Sequence, residues 1–135
     1  MPDCIFCKIV KGELPSAKIY EDDRILAFLD IAPNNHGHTL VIPKEHYQDF
    51  LDMPDETIKD LFASSKKIAK AVQKGTGAEA FNIGMNNGKH AGQIVYHAHI
   101  HIIPRFANDG LKHWPSKKYE GTQMEEFKKK IVKHL

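Results

Sequence analysis

The stretch QIVYHAHIHIIPR, residues 93–105, decides the fold and raises the first question about function. His97, His99 and His101 stand at every second position of an otherwise apolar run. In a β-strand, residues two apart share a face and lie about 6.5–7 Å apart along it. The stretch therefore predicts a strand with one apolar face on the core and a row of imidazoles facing a cleft or solvent.

Short apolar segments on either side of this strand predict four more strands. Residues 17–20 and 25–29 flank a polar turn as a hairpin, HTLVIP (38–43) ends at a proline, and AFNIGMN (80–86) precedes the histidine strand, YHAHIHII (96–103). These hairpins and long returns favour an antiparallel sheet over βαβ units. We expect an α+β domain with a five-stranded antiparallel sheet, although the strand order cannot be derived this way.

Two segments have the spacing of helices. The first begins at Pro54 and ends near Gly75, with apolar residues at helical spacing. The second closes the chain after Thr122 and Glu125, which have the spacing of a capping box. It carries an apolar stripe formed by Met124, Phe127, Ile131 and Leu135. The prediction is therefore one long helix and one C-terminal helix.

Length, composition and charge exclude several classes of protein. The 135 residues are 41% hydrophobic and 27% charged, which suits one domain over residues 1–135. The net charge of +2 comes from interspersed residues of both signs, so we expect no nucleic-acid partner. Neither a signal peptide nor an apolar run of about 20 residues is visible, so we expect no membrane partner and a cytoplasmic location.

Three readings of the histidine row are possible from the residues alone. Chance is one, and His-x-His on a strand can also supply two ligands to a zinc ion. The third is a nucleophilic imidazole, which needs nearby donors for developing negative charge. The preceding loop NNGKHAGQ (86–93) is rich in glycine and can present backbone N–H groups to a phosphate.

A resemblance favours the third reading. GQIVYHAHIHIIPR resembles the signature of the histidine-triad (HIT) family of nucleotide hydrolases and transferases. CIFCKIVKGELPSAKIYEDDRILAFLDI, GHTLVIPKEH and NNG are similar to other segments of that family, in the same order. The resemblance covers residues 4–105, is strongest to the HinT-type branch of bacteria with an N-terminal Cys-x-x-Cys, and leaves 106–135 as an extension. It implies a HIT-like fold and a homodimer whose sheets join.

The resemblance also implies the chemistry. His99 would attack the α-phosphorus of a nucleoside 5'-phosphoramidate or a related purine nucleotide, and water would then release a monophosphate such as AMP or GMP. His101 would contact the phosphate and assist the leaving group, and His38 would complete the histidine cluster. No catalytic metal is expected.

The nucleotide-binding residues follow from the same resemblance. Asp30 would bind the ribose hydroxyls, and the phosphate would lie near the loop and the start of the strand. Ile5, Phe6, Phe28 and Ile31 would surround the base, and Asn86, Gly92, Gln93 and the backbone of Ile94 would hold the phosphate. Ile94 departs from the Ser or Thr common in the family and cannot donate a hydroxyl hydrogen bond. Trp114 resembles a family tryptophan that reaches the other subunit's active site.

Cys4 and Cys7 have the two-residue gap of a zinc half-site. No further cysteine exists, so histidine must supply any remaining ligands, and the resemblance implies His46 and His97. Such a closed site would hold a structural zinc. The alternative is a buried pair of small apolar groups.

The leading interpretation is a HIT-type nucleotide hydrolase that resembles nucleoside phosphoramidases. A dinucleoside polyphosphate hydrolase shares the histidine pattern and differs in its leaving group. A nucleotide-binding regulatory module with weak activity, and a zinc-catalysed hydrolase, are the alternatives from other classes.

Overall fold

A computed structural model describes residues 3–135, and its five strands form one antiparallel sheet. The strands are β1 (Lys18–Glu21), β2 (Ile25–Leu29), β3 (Thr39–Pro43), β4 (Ala80–Gly84) and β5 (Ile100–Arg105), in the spatial order β1-β2-β3-β5-β4. The helices are α1 (Ile5–Val10), α2 (Asp55–Thr76) and α3 (Gln123–Val132). The α+β prediction with a five-stranded antiparallel sheet is confirmed. Among residues 3–135, no helix has both the length and the apolar character needed to cross a bilayer.

The centre of the sheet is covered on both faces. Residues of α2 such as Leu61 and Ile68 pack with Val41 and Ile100 on one face. The short helix α1 covers the other face, where its Phe6 belongs to the same cluster as several β2 and β3 residues. All five residues of β3 are buried as a result. Burial from both sides explains why β2 and β3 read as nearly continuous apolar runs.

The predicted hairpin of β1 and β2 is present. The Asp22 carboxylate accepts hydrogen bonds from the backbone N–H groups of Arg24 and Ile25, each at 2.8 Å. An aspartate that bonds the backbone ahead of it fixes a tight turn without help from glycine.

The histidine strand is shorter than predicted. We expected it to begin near Tyr96, but β5 begins at Ile100, and β4 ends at Gly84 rather than Asn86. β3 ends at Pro43, which has no N–H to continue the ladder. The backbone N–H of Ala98 instead donates to the Tyr47 carbonyl at 2.7 Å, so this segment follows the loop after β3.

The two predicted helices are present with different ends. α2 continues past Gly75 to Thr76 because Gly77, with φ +75°, provides the left-handed cap that ends the helix. The capping box at the start of α3 is wrong, since the Thr122 hydroxyl donates to the Glu126 carboxylate at 3.0 Å and makes no backbone cap bond.

One helix was missed, and one apolar stripe is uncovered. The six residues of α1 are too few to show a helical period in the sequence. The predicted stripe on α3 is exposed rather than packed, with Met124 at 62%, Phe127 at 49% and Ile131 at 61% exposure.

Candidate active site and metal centre

The three histidines lie on the face of the sheet opposite α2. His97 and His99 belong to the extended segment before β5, and His101 lies within β5. The Phe6 ring of α1 meets the His97 and His99 rings edge to face, with centroids 5.9 and 5.2 Å apart. His97 and His99 are therefore buried under α1, whereas His101 is only partly covered.

The hydrogen bonds of His99 fix which of its nitrogens is free. Its Nδ1 lies 2.7 Å from the carbonyl oxygen of His97. A carbonyl oxygen can only accept, so Nδ1 carries the hydrogen and Nε2 keeps its lone pair. Burial lowers the pKa of His99, against the opposing effects of the His97 carbonyl and the Asp30 carboxylate. The His99 ring is thus a neutral imidazole with a nucleophilic Nε2.

A chain of two hydrogen bonds fixes which nitrogen of His101 carries the hydrogen. The backbone N–H of Asn34 donates to His38 Nδ1 at 3.0 Å, so the hydrogen of His38 is on Nε2. His38 Nε2 lies 2.9 Å from His101 Nδ1 and donates to it. The hydrogen of His101 is therefore on Nε2. Burial, with smaller effects from the charges of His99 and His38, lowers the pKa of His101 to about 4.

These hydrogen bonds place the hydrogen on different nitrogens of the neighbouring His99 and His101 rings. The ring centroids of His99 and His101 are 4.8 Å apart. His99 presents a lone pair at Nε2, and His101 presents an N–H at Nε2. This pair can attack an electrophilic phosphorus and donate a hydrogen bond to the same phosphoryl group.

Asp30 lies beside this cluster, directly after β2. Its backbone N–H donates to the His38 carbonyl at 2.9 Å, and its Oδ2 is 3.8 Å from His38 Nε2. Its Oδ1 accepts from the backbone of Ala32 at 2.9 Å. The side chain is 21% exposed, so the carboxylate remains accessible to a hydroxyl donor.

The predicted phosphate loop has a rigid frame. Gly92 has φ +89°, and a Cβ there would lie 3.5 Å from the Asn86 side-chain amide, so the two positions are adjacent. The buried Gln93 side chain donates to the carbonyls of Gln48 at 2.7 Å and Val95 at 3.1 Å. It also accepts from the Gly88 N–H at 2.8 Å. The Gln93 amide therefore braces the loop, a role that the sequence did not indicate.

The residues predicted around the base are only partly assembled. Phe6 and Phe28 are buried, with their rings edge to face and 5.4 Å between centroids. Ile5 is 46% exposed and Ile31 is 99% exposed, so neither packs with the two aromatic rings. The structure thus brings together the two aromatic members of the predicted slot.

Four potential metal ligands converge between α1 and the histidine segment: Cys4, Cys7, His46 and His97, whose ligand atoms all lie within 4.8 Å of one another. His97 Nδ1 is 3.5 Å from the Cys4 sulfur, 3.6 Å from the Cys7 sulfur and 3.2 Å from His46 Nδ1. The Cys7 sulfur is 3.4 Å from His46 Nδ1. Bonds of about 2.05 Å to nitrogen and about 2.3 Å to sulfur give tetrahedral edges of about 3.3 Å between nitrogens and about 3.5 Å from nitrogen to sulfur. The cluster therefore has the size of a tetrahedral zinc site.

The protonation of His97 also suits a ligand. Its Nε2 lies 2.7 Å from the Pro43 carbonyl oxygen and must carry the hydrogen, which leaves the Nδ1 lone pair directed at the cluster. Burial lowers the pKa of His97 to about 4, so the ring is neutral, as a metal ligand must be. His97 belongs to both sites, because its ring faces the cysteines and its carbonyl accepts the hydrogen bond from His99.

Comparison with known proteins identifies the family to which this chain is similar. The model of the HIT domain matches residues 11–108. The adenosine 5'-monophosphoramidase of Schizosaccharomyces pombe is 50% identical over 76% of this chain and 74% of its own length. The adenylylsulfatase of Arabidopsis thaliana is 46% identical over 84% of this chain and 57% of its own length.

Solved structures of similar proteins have the same fold. A Streptococcus mutans protein aligns with a TM-score of 0.94 at 47% identity, covering 99% of this chain and 86% of its own. A zinc-bound histidine-triad protein of Mycobacterium smegmatis aligns with a TM-score of 0.79 at 43% identity, covering 87% of this chain and 85% of its own. The chain belongs to the HIT family.

Proposed function

We propose that this protein is a nucleotide hydrolase that acts at the α-phosphate of nucleoside 5'-phosphoramidates or related purine nucleotides. The observation that carries the proposal is the pair of hydrogen bonds to His99 Nδ1 and His101 Nδ1, which leave a free Nε2 on His99 beside an N–H on His101. The similarity to a monophosphoramidase and an adenylylsulfatase supports a reaction at the α-phosphate.

The reaction has two displacements. In the first, His99 Nε2 forms a bond to the α-phosphorus, and the electron pair of the bond between phosphorus and the leaving group departs with that group, which takes a proton from solvent. In the second, water attacks the phosphorus and releases a proton to solvent, the electron pair of the bond to His99 returns to Nε2, and the nucleoside monophosphate leaves. His101 Nε2–H donates a hydrogen bond to a phosphoryl oxygen throughout.

The surrounding residues bind and position the nucleotide. Asp30 accepts hydrogen bonds from the ribose hydroxyls, and Phe6 and Phe28 contact the base together with Ile5 and Ile31. Asn86, Gly92 and the Ile94 backbone lie along the phosphate, and Gln93 acts by bracing that loop. His38 is a positioning residue, because it acts through His101.

We also propose that Cys4, Cys7, His46 and His97 hold one structural zinc ion. Tetrahedral distances among the four ligand atoms and the zinc-bound relative support this assignment. All four positions would be occupied by protein, so the ion would supply no open site for water and would fasten α1 to the His97 segment. The free thiols of Cys4 and Cys7 suit a reducing compartment, and we propose the cytoplasm.

A homodimer joined through the sheet completes the proposal. β4 is the edge strand next to β5, and all five of its residues are exposed, including Phe81 at 37% and Ile83 at 42%. Pairing with a second β4 would cover this edge. Sedimentation as a monomer at micromolar concentration would rule it out.

The decisive experiment is a search for the covalent intermediate. The protein is mixed with adenosine 5'-phosphoramidate and quenched within milliseconds to seconds, and AMP adducts are located by intact mass and peptide mapping. We expect an adduct on His99 that water clears to AMP. The His99→Ala variant should form none, and His36→Ala, which changes an exposed histidine, should behave as the wild type.

Two results would contradict the proposal. Nucleotide binding with neither adduct nor turnover would indicate a regulatory binding module. Turnover without an adduct, abolished by chelation in a chain that remains folded, would indicate a zinc-catalysed hydrolase.

A further inference from the structure

Cys4 and Cys7 lie close enough together to form a disulfide bond as well as to bind a metal. Cys4 is the N-cap of α1, and its sulfur accepts a hydrogen bond from the Cys7 backbone N–H at 3.3 Å. The two sulfurs belong to the group of ligand atoms that lie within 4.8 Å of one another, and both thiols are free. Side chains three residues apart on a helix are neighbours, so an S–S bond of about 2.05 Å requires a shift of the two side chains within one turn.

A cavity opens onto one of the two cysteines. It has a volume of about 490 Å³, and its lining includes Cys4 and His46 together with apolar residues such as Ile94 and Tyr96. Cys7 is not among the described residues that line this cavity. A small, uncharged oxidant can therefore reach Cys4 before it reaches Cys7. An accessible cysteine with a second cysteine beside it is the arrangement typical of thiols that respond to oxidants.

The same two sulfurs are half of the proposed metal site. A metal binds the thiolate form of cysteine, and a disulfide sulfur carries no thiolate charge. Oxidation of the pair would leave His46 and His97 as two ligands of the original four. Two neutral imidazoles do not form a closed tetrahedral zinc site, so the ion would leave.

Contacts of α1 connect the cysteines to the proposed catalytic histidine. Phe6 lies between the two cysteines in the sequence, and its ring meets the His99 ring edge to face, with the centroids 5.2 Å apart. His97 Nδ1 lies 3.5 and 3.6 Å from the two sulfurs, and the His97 carbonyl accepts the hydrogen bond from His99 Nδ1 at 2.7 Å. A rearrangement of the sulfurs therefore disturbs both the ring that packs on His99 and the segment that orients it.

We propose that Cys4 and Cys7 form a reversible disulfide when the protein meets a peroxide, and that this disulfide releases the metal and weakens nucleotide binding. The disulfide itself depends on the two cysteines alone, whereas its effect on binding rests on the nucleotide site proposed above. Disulfides of proteins in reducing compartments are usually transient and serve catalysis or redox sensing. The site would therefore connect the redox state of the compartment to nucleotide binding.

The oxidation has two steps, with hydrogen peroxide as the oxidant. The Cys4 thiolate attacks one peroxide oxygen, the O–O bond breaks, and the departing hydroxide takes a proton from solvent, which leaves a sulfenic acid on Cys4. The Cys7 thiolate then attacks the Cys4 sulfur, the S–O bond breaks, and a second hydroxide leaves and becomes water. The two sulfurs together lose two electrons, and the two peroxide oxygens gain them. A dithiol reverses the result by thiol–disulfide exchange.

Three measurements on the zinc-loaded protein test the proposal. Hydrogen peroxide is added, remaining thiols are blocked with N-ethylmaleimide, and the tryptic segment MPDCIFCK (1–8) is analysed by mass spectrometry. A metallochromic dye records released zinc, and calorimetry gives the dissociation constant of AMP. Each measurement is repeated after dithiothreitol and zinc have been added back. Cys7→Asp is the matched variant, because its carboxylate is a possible zinc ligand and cannot form a disulfide.

We expect the segment to lose two hydrogens and about one zinc ion per chain to be released. The dissociation constant of AMP should rise about tenfold, the lower end of the effect of losing groups that orient a site. Dithiothreitol with zinc should reverse all three changes, which separates them from methionine sulfoxide, since a dithiol alone does not reduce that product. The peroxide-treated Cys7→Asp variant should not lose two hydrogens, and its AMP dissociation constant should rise less, relative to its own untreated value, than that of the wild type.

Each part of the proposal has a result that would overturn it. Peroxide treatment that leaves both thiols free, or that stops at an oxygen adduct on Cys4, would refute the disulfide. A disulfide that forms without zinc release would refute the effect on the metal, and one that leaves the AMP dissociation constant unchanged would refute the effect on the nucleotide site. If the reduced protein did not bind AMP at all, the proposed hydrolase function would be wrong instead, and the mass and zinc measurements would still decide the disulfide and the metal release.

Discussion

Replacing His38 by alanine tests the hydrogen bond from His38 that fixes which nitrogen of His101 carries the hydrogen. His38 is 2% exposed and makes two hydrogen bonds, accepting from the Asn34 backbone and donating to His101 Nδ1. The variant removes the donor to His101 without touching His99. His101 then loses the partner that favours a hydrogen on Nε2, and a fraction of its rings turns or changes tautomer.

The expected effects on stability and on activity have different sizes. Truncating a side chain this buried costs about 2–4 kcal/mol in the free energy of unfolding. The activity depends only on the lost hydrogen bond to His101, whose net contribution is about 0.5–1.5 kcal/mol. We therefore expect kcat/KM to fall by about twofold to tenfold, far less than in His99→Ala.

Steady-state kinetics and ¹⁵N NMR of labelled histidines measure the two consequences. The His101 nitrogen shifts should report a hydrogen on Nε2 in the wild type and a mixture of tautomers in His38→Ala. His38→Gln, whose amide can still donate to His101, should recover part of both signals. A loss of kcat/KM beyond about a thousandfold in a folded His38→Ala variant would refute a positioning role and make His38 a reacting group.

Three further predictions concern the metal centre, acid stability and the turn before β3. Cys7→Ser removes one of four ligands, so zinc content should fall well below the about one ion per chain expected of the wild type, with a lower thermal midpoint, by metal analysis and calorimetry; a chain that is already free of zinc would contradict the site. The free energy of unfolding, from urea titrations, should fall as pH drops from 6.5 to about 4, because the pKa values of His97 and His101 are about 4 in the folded chain and near 6.5 when unfolded, so the unfolded chain binds protons first; His101→Gln should make that slope shallower by removing one of the two groups, and an unchanged slope would count against it. Gly37→Ala, where φ is +97° and a Cβ would lie 2.5 Å from Thr76 Cγ2, should cost more stability than Gly12→Ala, where φ is +78° and no atom lies within 4 Å; equal losses would show that the contact is relieved without cost.

The alternating histidines could be read from the sequence because the period of an extended chain does not depend on its partner. His97, His99 and His101 share a face even though only His101 lies in a paired strand. The pairing itself could not be predicted, since the ladder between β3 and β5 ends at Val41 and Ile100, two residues before Pro43 of the other strand, which has no N–H to extend it. The shared face of the histidines could be predicted from a local pattern, whereas the register between distant strands could not.

The metal centre shows the same limit. The gap between Cys4 and Cys7 is local and indicated a half-site. His46 and His97 lie 39 and 90 residues from Cys7, and no spacing rule connects them, so only the family resemblance suggested them. Asp109 anchors the start of the extension by accepting hydrogen bonds from the Arg105 side chain and from the backbone N–H groups of Phe106 and Leu111. The sequence did not indicate these bonds, because a single aspartate after a strand normally indicates a turn.

The shared position of His97 separates the two possible roles of a metal in this protein. Its ring completes the four-ligand cluster, and its carbonyl holds the Nδ1 hydrogen of His99 at 2.7 Å. A bound ion would therefore influence His99 only through the position of the His97 backbone, not by contact with substrate. Removing the ion should then weaken turnover together with thermal stability, and stabilising the metal-free chain with a bound nucleotide should restore part of both. A catalytic ion would behave differently, since its removal would abolish turnover at temperatures where the chain remains fully folded.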